Sequence, residues 1–292
     1  MSSLAHDLAA PELERLNSRF AARSVALADG GVVSVRECGQ AKAGAAAYVC
    51  LHGIGSGAAS WLDTALLLAE QADARVIAWD MPGYGDSTPV APAQPKAHDY
   101  AHRLQGLVDA LDLDRFVLVG HSLGAITAAW AARDASPLAA RIEQLVLISP
   151  ALGYGAAGQQ EQAERVRRQR IETLIRDGVA GMAAKADQRL VSEHADARAR
   201  QWVRWNMGRL NEAGYLQAVE LLAGANVLQD LPPAMPVRVA CGALDIVTTP
   251  TACEQAAHAC GVPLHLFEDA GHACYVEQPQ AVATWLQSGA PR

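Results

Sequence analysis

What this chain lacks narrows its class before any motif is read. No apolar run reaches the roughly 18 residues that a membrane-spanning helix requires, so none is expected. Residues 1–20, MSSLAHDLAAPELERLNSRF, carry acids and a proline and lack the basic start and apolar middle of a secretory signal, so the expected location is cytoplasmic. No basic tract stands out among 24 Lys and Arg, and a net charge of −7 argues against nucleic acid as a partner. The six cysteines contain no C-x-x-C pair and no matched histidine spacing, so neither a metal site nor a disulfide framework is expected. The thiols are read as small apolar side chains, with only Cys274 close in sequence to a candidate catalytic residue. Aromatic residues are scarce, at 5%, which by itself says nothing of the substrate.

What is present is a globular balance, 51% hydrophobic against 19% charged, which excludes a disordered chain. A chain of 292 residues is long for one domain, yet alternating α/β cores reach that size and bury roughly 75% of the unfolded surface without a staple. One large domain carrying an insertion is expected.

Short apolar runs alternate with helical patterns almost from end to end, the signature of a mostly parallel sheet flanked by helices. Segments 24–28 and 32–38 flank Asp29-Gly30-Gly31, a hairpin turn, so the sheet should begin with an antiparallel pair. Further strands are expected at 46–51, 74–79, 115–119, 144–149, 237–241 and 263–267, eight in all, with helices near 97–112, 122–134, 250–260 and 278–288. The alternation fails once, between Pro150 and Pro232, where the chain reads as helix and turn. That stretch holds Arg165, Arg167, Arg168, Arg170, Arg176, Arg189, Arg198, Arg200, Arg204, Arg209 and Lys185, a locally basic insertion in an acidic protein. The expected organisation is a core in two parts, 1–150 and 233–292, with a helical lid, 151–232, inserted between strands six and seven.

The chemistry centres on Gly120-His121-Ser122-Leu123-Gly124, which fits G-x-S-x-G with an apolar strand before it and good helix formers after it. In that context the serine sits on a strained turn with its hydroxyl clear of the backbone, and Ser122 is the candidate nucleophile. A serine hydroxyl needs a base beside it and a third group to orient that base. Among nine histidines, His272 lies in the loop after the last strand, at the same sheet edge as Ser122, where open α/β sheets place ligands. His52 and His121 follow strands in tight turns and either touch the substrate or pack beneath the site. His6, His98, His102, His194, His258 and His265 are read as surface or core residues. Asp245, the one acid after the seventh strand, is the candidate orienting group. Negative charge developing on a carbonyl oxygen needs fixed donors, and the backbone N–H groups of Leu123 and Ile54 are the candidates, the second in the turn His52-Gly53-Ile54-Gly55-Ser56-Gly57. That turn lacks the Lys-Ser/Thr of a phosphate loop and the spacing of a dinucleotide site.

Taken with Asp80-Met81-Pro82-Gly83-Tyr84-Gly85-Asp86-Ser87 and Gly271-His272, these residues resemble the α/β-hydrolase superfamily over 24–150 and 236–290. Their order Ser122, Asp245, His272 is the order of that superfamily. The segment 175–183 and the ending Glu277-Gln278-Pro279 are similar to 3-oxoadipate enol-lactone hydrolases and related bacterial esterases. Segment 52–61 is also similar to carbon–carbon bond hydrolases of meta-cleavage products, which usually carry Asn where this chain has His121 and Pro where it has Ser56. The resemblance implies an eight-stranded, mostly parallel sheet with a helical lid between strands six and seven, and a cofactor-free, metal-free serine hydrolase of small esters or lactones. Ser at position 122 excludes a dehalogenase or epoxide hydrolase that attacks through Asp. The alternatives are carbon–carbon cleavage, a non-hydrolytic use of the fold, and a ligand sensor. Gly53, His121, Trp202, Trp205 and Met207 are expected against a small-molecule substrate, and the lid arginines against a substrate carboxylate. A monomer or homodimer is expected.

Overall fold

The computed structural model describes residues 8–40 and 47–289. The readings placed on residues 1–7, His6 among them, and the first residue of the strand expected at 46–51 lie outside the described residues. Eight strands form one sheet: β1 (Ala22–Ala26), β2 (Val32–Cys38), β3 (Ala47–Leu51), β4 (Arg75–Trp79), β5 (Phe116–His121), β6 (Ile142–Ile148), β7 (Val237–Gly242) and β8 (Leu264–Phe267). The order is β1-β2-β4-β3-β5-β6-β7-β8. β2 runs antiparallel to both β1 and β4, and every later pairing is parallel.

The helices are α1 (Ala10–Arg19), α2 (Leu62–Gln71), α3 (Ala97–Ala110), α4 (Leu123–Ala132), α5 (Gln160–Ala184), α6 (Asp187–Leu190), α7 (Ala197–Met207), α8 (Glu212–Gly224), α9 (Pro250–Ala259), α10 (Cys274–Glu277) and α11 (Pro279–Ser288). Helices α5 to α8 all fall between β6 and β7 in the chain. No helix among the described residues is long and apolar enough to cross a membrane.

The physical reason for a two-sided sheet is written in β3, β5 and β6, whose residues are almost all buried. Successive side chains point to opposite faces of a strand, so a continuous apolar run requires cover on both. Val49, Leu51, Leu118, Leu145 and Leu147 enter one core with Tyr100 and Leu104 of α3, Ile126 of α4 and Ala218 of α8. Tyr48, Cys50, Val117, Val119, Val146 and Ile148 enter the other with Leu16 of α1, Leu62 of α2 and Val282 of α11.

The antiparallel start follows from the turn. Asp29 Oδ1 accepts the Gly31 N–H at 2.9 Å and Gly30 takes φ 82°, a conformation glycine adopts without a Cβ penalty. β1 lies two residues earlier than the expected 24–28, because Leu27 already belongs to the turn, its N–H donating to Gly31 O. Helices α1 and α2 were not expected from the sequence pattern.

From β3 the chain crosses to β4 on one side, and from β5 to β6 on the other. The crevice at the carboxyl ends of β3 and β5 is therefore the topological switch point at which such sheets bind ligands.

Candidate functional site

Ser122 stands where β5 ends and α4 begins, with φ 52° and ψ −116°, outside the ordinary regions for a residue with a side chain. Such strain costs of order 1–3 kcal/mol and persists only when the surroundings enforce it. Here its N–H donates to Ile148 O at 3.0 Å, while its own carbonyl accepts from Ala125 at 3.0 Å and Ala151 at 3.1 Å. The flanking glycines are steric requirements. A Cβ on Gly120 would lie 2.7 Å from Ala125 Cα, and one on Gly124 would lie 2.5 Å from Leu51 O, so α4 could not seat on the end of β3.

Asp245 and His272 come from loops after β7 and β8. His272 Nδ1 lies 2.8 Å from Asp245 Oδ2, and both residues are almost fully buried, at 3% and 2% exposure. The other carboxylate oxygen accepts the N–H groups of Val247 at 2.7 Å and Thr248 at 3.0 Å, and the Thr248 hydroxyl lies 2.9 Å from Oδ2. Burial works to raise the Asp245 pKa, but His272 and the two backbone donors outweigh it and hold the carboxyl down at about 2. The Asp245 carboxylate thus keeps Nδ1 as the protonated nitrogen, leaving Nε2 free to accept a proton.

The loop bearing His272 is itself anchored. Glu277 accepts the Gly271 N–H at 2.7 Å through one oxygen and the Ser192 N–H at 2.9 Å through the other. The Ala273 N–H donates to Leu190 O at 2.7 Å. The Nε2–H of His121 donates to the His272 carbonyl at 2.9 Å. Burial pushes the His121 imidazole down to about 3, so it is a neutral strut across the working pH range.

On the facing turn, His52 joins two loops: its Nδ1–H donates to Gly53 O at 2.8 Å and its Nε2 accepts the Met81 N–H at 3.0 Å. Tyr84 donates its hydroxyl to Ile54 O at 2.8 Å, fixing the plane of that peptide. Among the described residues no backbone acceptor takes the N–H of Ile54 or of Leu123. A Cβ on Gly53 would lie 3.0 Å from Ser122 Cβ and 3.2 Å from His121 Nδ1, so glycine lets this turn lie tightly against the serine.

Ser122, His272, Ile54, Leu123, Gly53, His121 and Met207 all line one cavity of about 830 Å³, to which residues of α5 to α8 also contribute. That is within the roughly 300–1,000 Å³ of small-molecule sites. Trp202 and Trp205, expected against the substrate, are not in its wall. On α7, Val203 and Met207 are four residues apart and both line the cavity, while the two tryptophans pack with Trp61 and Leu62 in a core that Val203 also joins. Cys274 is fully buried and its thiol is pushed well above the ordinary range by that burial, so it packs rather than reacts.

Thr248, Tyr84 and Glu277 escaped functional assignment from the sequence. Tyr84 and Glu277 belong to strings that carried the family resemblance, which was the available signal. Nothing in the sequence marks Thr248. Among the described residues no group of three or more His, Cys, Asp or Glu side chains could hold a metal ion.

The geometry has counterparts among known proteins. The chain is 35% identical over 135 residues to a 2-hydroxy-6-oxononadienedioate/2-hydroxy-6-oxononatrienedioate hydrolase of Cupriavidus pinatubonensis JMP 134, a match spanning 45% of each chain. It is 32% identical over 142 residues to a 2-hydroxy-6-oxo-6-phenylhexa-2,4-dienoate hydrolase of Comamonas testosteroni, covering 48% of this chain and 47% of that one. The chain therefore spans about half the length of these relatives. Among solved structures, the enol-lactonase of Burkholderia xenovorans LB400 superposes with a TM-score of 0.75 at 22% identity, over 91% of this chain and 98% of that one. At that identity the likeness shows the fold alone. The sequence profile described as alpha/beta hydrolase fold matches residues 48–279, from β3 through the loop of His272, and with the strand order and the elbow at Ser122 it establishes that the chain belongs to the α/β-hydrolase fold family.

Proposed function

We propose that this protein is a serine hydrolase that cleaves a small carboxylic ester or lactone, enol-lactones included, through an acyl-enzyme. The observation that carries the reading is the strained Ser122 sharing one cavity with His272, whose Nδ1 is held 2.8 Å from the buried Asp245. His272 Nε2 takes the Ser122 proton as Oγ attacks the carbonyl. The N–H groups of Ile54 and Leu123 receive the charge that develops on oxygen, each such donor lowering the barrier by roughly 3 kcal/mol. The imidazolium, stabilised by Asp245, passes its proton to the leaving alkoxide. Water then attacks the acyl-enzyme by the reverse path and releases the acid. The helices between β6 and β7 act as a lid that shapes the substrate side of the cavity. The chemistry asks for no cofactor.

Intact-protein mass after fluorophosphonate treatment, with 4-nitrophenyl acetate hydrolysis followed in parallel, tests this. A single adduct and hydrolytic activity that both vanish in Ser122→Ala are expected. An adduct that persists in the variant, or its absence from the wild type, overturns the assignment.

A second reading, hydrolysis of a carbon–carbon bond in a meta-cleavage-type diketone, is favoured by the similarity to two such 2-hydroxy-6-oxo acid hydrolases over about half the chain. Product identification after incubation with a diketone and an enol-lactone separates the two. Release of one carboxylic acid and one enol from the diketone at rates exceeding ester turnover would favour the second.

A further inference from the structure

The basic insertion narrows sharply once its side chains are placed. Of its eleven cationic residues, most are neutralised by acids or spent on the fold. Arg167 bonds Glu220 at 2.9 Å, Arg198 reaches Glu12 and Asp63, Arg204 grips Asp187 through two bonds of 2.7 and 2.6 Å, and Arg209 lies over the Trp205 ring. Four line the cavity that also holds Ser122 and His272: Arg170, Arg176, Lys185 and Arg189.

Among the described residues Asp177 is the one carboxylate in the wall of that cavity, and it is already engaged. Arg176 bonds it at 2.8 Å and Lys185 at 3.1 Å, and these two partners hold the Asp177 carboxyl down at about 2. Arg170 has only the Tyr215 hydroxyl, at 3.4 Å, and Arg189 has no acidic partner among the described residues. Two arginines therefore line a ligand cavity with no acidic partner among the described residues, in a protein whose net charge is −7. A recessed wall of one sign focuses field lines and raises the local concentration of the opposite charge.

We infer that the cavity takes an anionic substrate, a carboxylate-bearing ester or lactone whose free carboxylate is received by Arg170 and Arg189. This rests on the hydrolase reading above for the reaction, but not for the binding. The planar fork of Arg accepts both oxygens of a carboxylate, so the same pair that attracts the substrate also orients its length relative to Ser122. Leu152, Val166, Leu190 and Val203 supply the apolar wall for the intervening carbons.

The test compares 4-nitrophenyl hydrogen glutarate with its methyl ester in the wild type, Arg170→Gln, Arg189→Gln and the double variant. Using the ratio of the two kcat/KM values makes each variant its own control for folding. A charged hydrogen bond of this kind favours the anionic ester about tenfold or more, decreasing with added salt. The ratio should approach one in the double variant, be partly retained in Arg189→Lys, and be unaltered in Arg168→Gln, which lies outside the cavity. A wild-type ratio near one, or a ratio unchanged in the double variant, overturns the inference. Calorimetric binding of glutarate to Ser122→Ala, with and without the two Gln substitutions, reads the site without turnover. Arginine-dependent binding with neither ester hydrolysed by the wild type would sustain the anion site while sinking the hydrolase reading; no binding would sink the site itself. Inorganic phosphate binding as tightly as glutarate would overturn the carboxylate assignment.

Discussion

Asp245→Asn isolates the part of the site that the geometry defines best. The Asp245 carboxylate accepts two backbone N–H groups through Oδ1 and faces His272 Nδ1 at 2.8 Å through Oδ2. In the amide, the oxygen keeps the two backbone donors and the NH₂ must face the ring, so His272 can hold its position only by moving its proton to Nε2. That tautomer cannot accept the Ser122 proton. A loss of roughly 10³–10⁴ in kcat follows, about 4–5 kcal/mol of barrier, with little change in KM. The substitution also has a stability signature. The Asp245 carboxyl falls from its ordinary 3.8 to about 2 in the folded protein, where burial opposes ionisation and His272 with the backbone donors favours it. A depressed folded pKa contributes stability that is present above the unfolded value, near 4, and is lost as pH falls through about 2. At about 1.4 kcal/mol per pKa unit this is about 2 kcal/mol. The wild-type advantage over Asp245→Asn in urea unfolding should therefore shrink by about 2 kcal/mol between pH 6 and pH 2. A variant within tenfold of wild-type kcat, or a stability difference independent of pH over that range, would refute the reasoning.

Three further outcomes are expected. His121→Ala removes the donor to the His272 carbonyl and should lower kcat about tenfold or more; His121→Gln, which restores an N–H, should recover part of the loss, and a kcat unchanged in Ala would mean the ring only fills space. Tyr84→Phe frees the Ile54 carbonyl and should slow acylation by 4-nitrophenyl acetate several-fold while thermal unfolding shifts little, so an unchanged burst rate would remove Tyr84 from the oxyanion turn. Glu277→Ala leaves the N–H groups of Gly271 and Ser192 without their acceptor and should cost roughly 1–3 kcal/mol in denaturant unfolding together with activity, whereas loss of neither would show that the loop of His272 is held by other contacts.

Much of the architecture could be read from the chain because buried parallel strands are local signals. FVLV and the LVLI within QLVLIS are apolar without interruption, and the structure places β5 and β6 there, with β5 extending through His121 into the elbow. Helix α2 went unread because LDTALLLAEQ is apolar on most of its turns and lacks a polar face to set a period. Helix α1 turns only Leu13 and Leu16, three residues apart, toward the core, a signal of two apolar side chains in an otherwise polar segment. Trp202, Trp205 and Met207 were grouped because they are neighbours in sequence, yet a helix turns 100° per residue and sends the tryptophans and the methionine to different surroundings.

By itself the sequence determined the sheet, its strand sequence, the elbow at Ser122 and the order Ser122, Asp245, His272, because each of these depends on residues within a few positions of one another or on chain order alone. Tertiary structure decided what depends on approach between distant segments. Gly124 is irreplaceable only because the Leu51 carbonyl of another strand lies 2.5 Å from where its Cβ would stand, and Gly53 is required to be small because Ser122 Cβ and the His121 ring close in to 3.0 and 3.2 Å. Glu277 matters because it closes onto Gly271 and Ser192 at once. Which of the eleven cations of the insertion line the cavity uncompensated is a matter of where Glu12, Asp63, Asp177, Asp187 and Glu220 fall in space. Composition reports the excess of charge between β6 and β7; only the fold pairs most of it away and leaves Arg170 and Arg189 at the cavity wall.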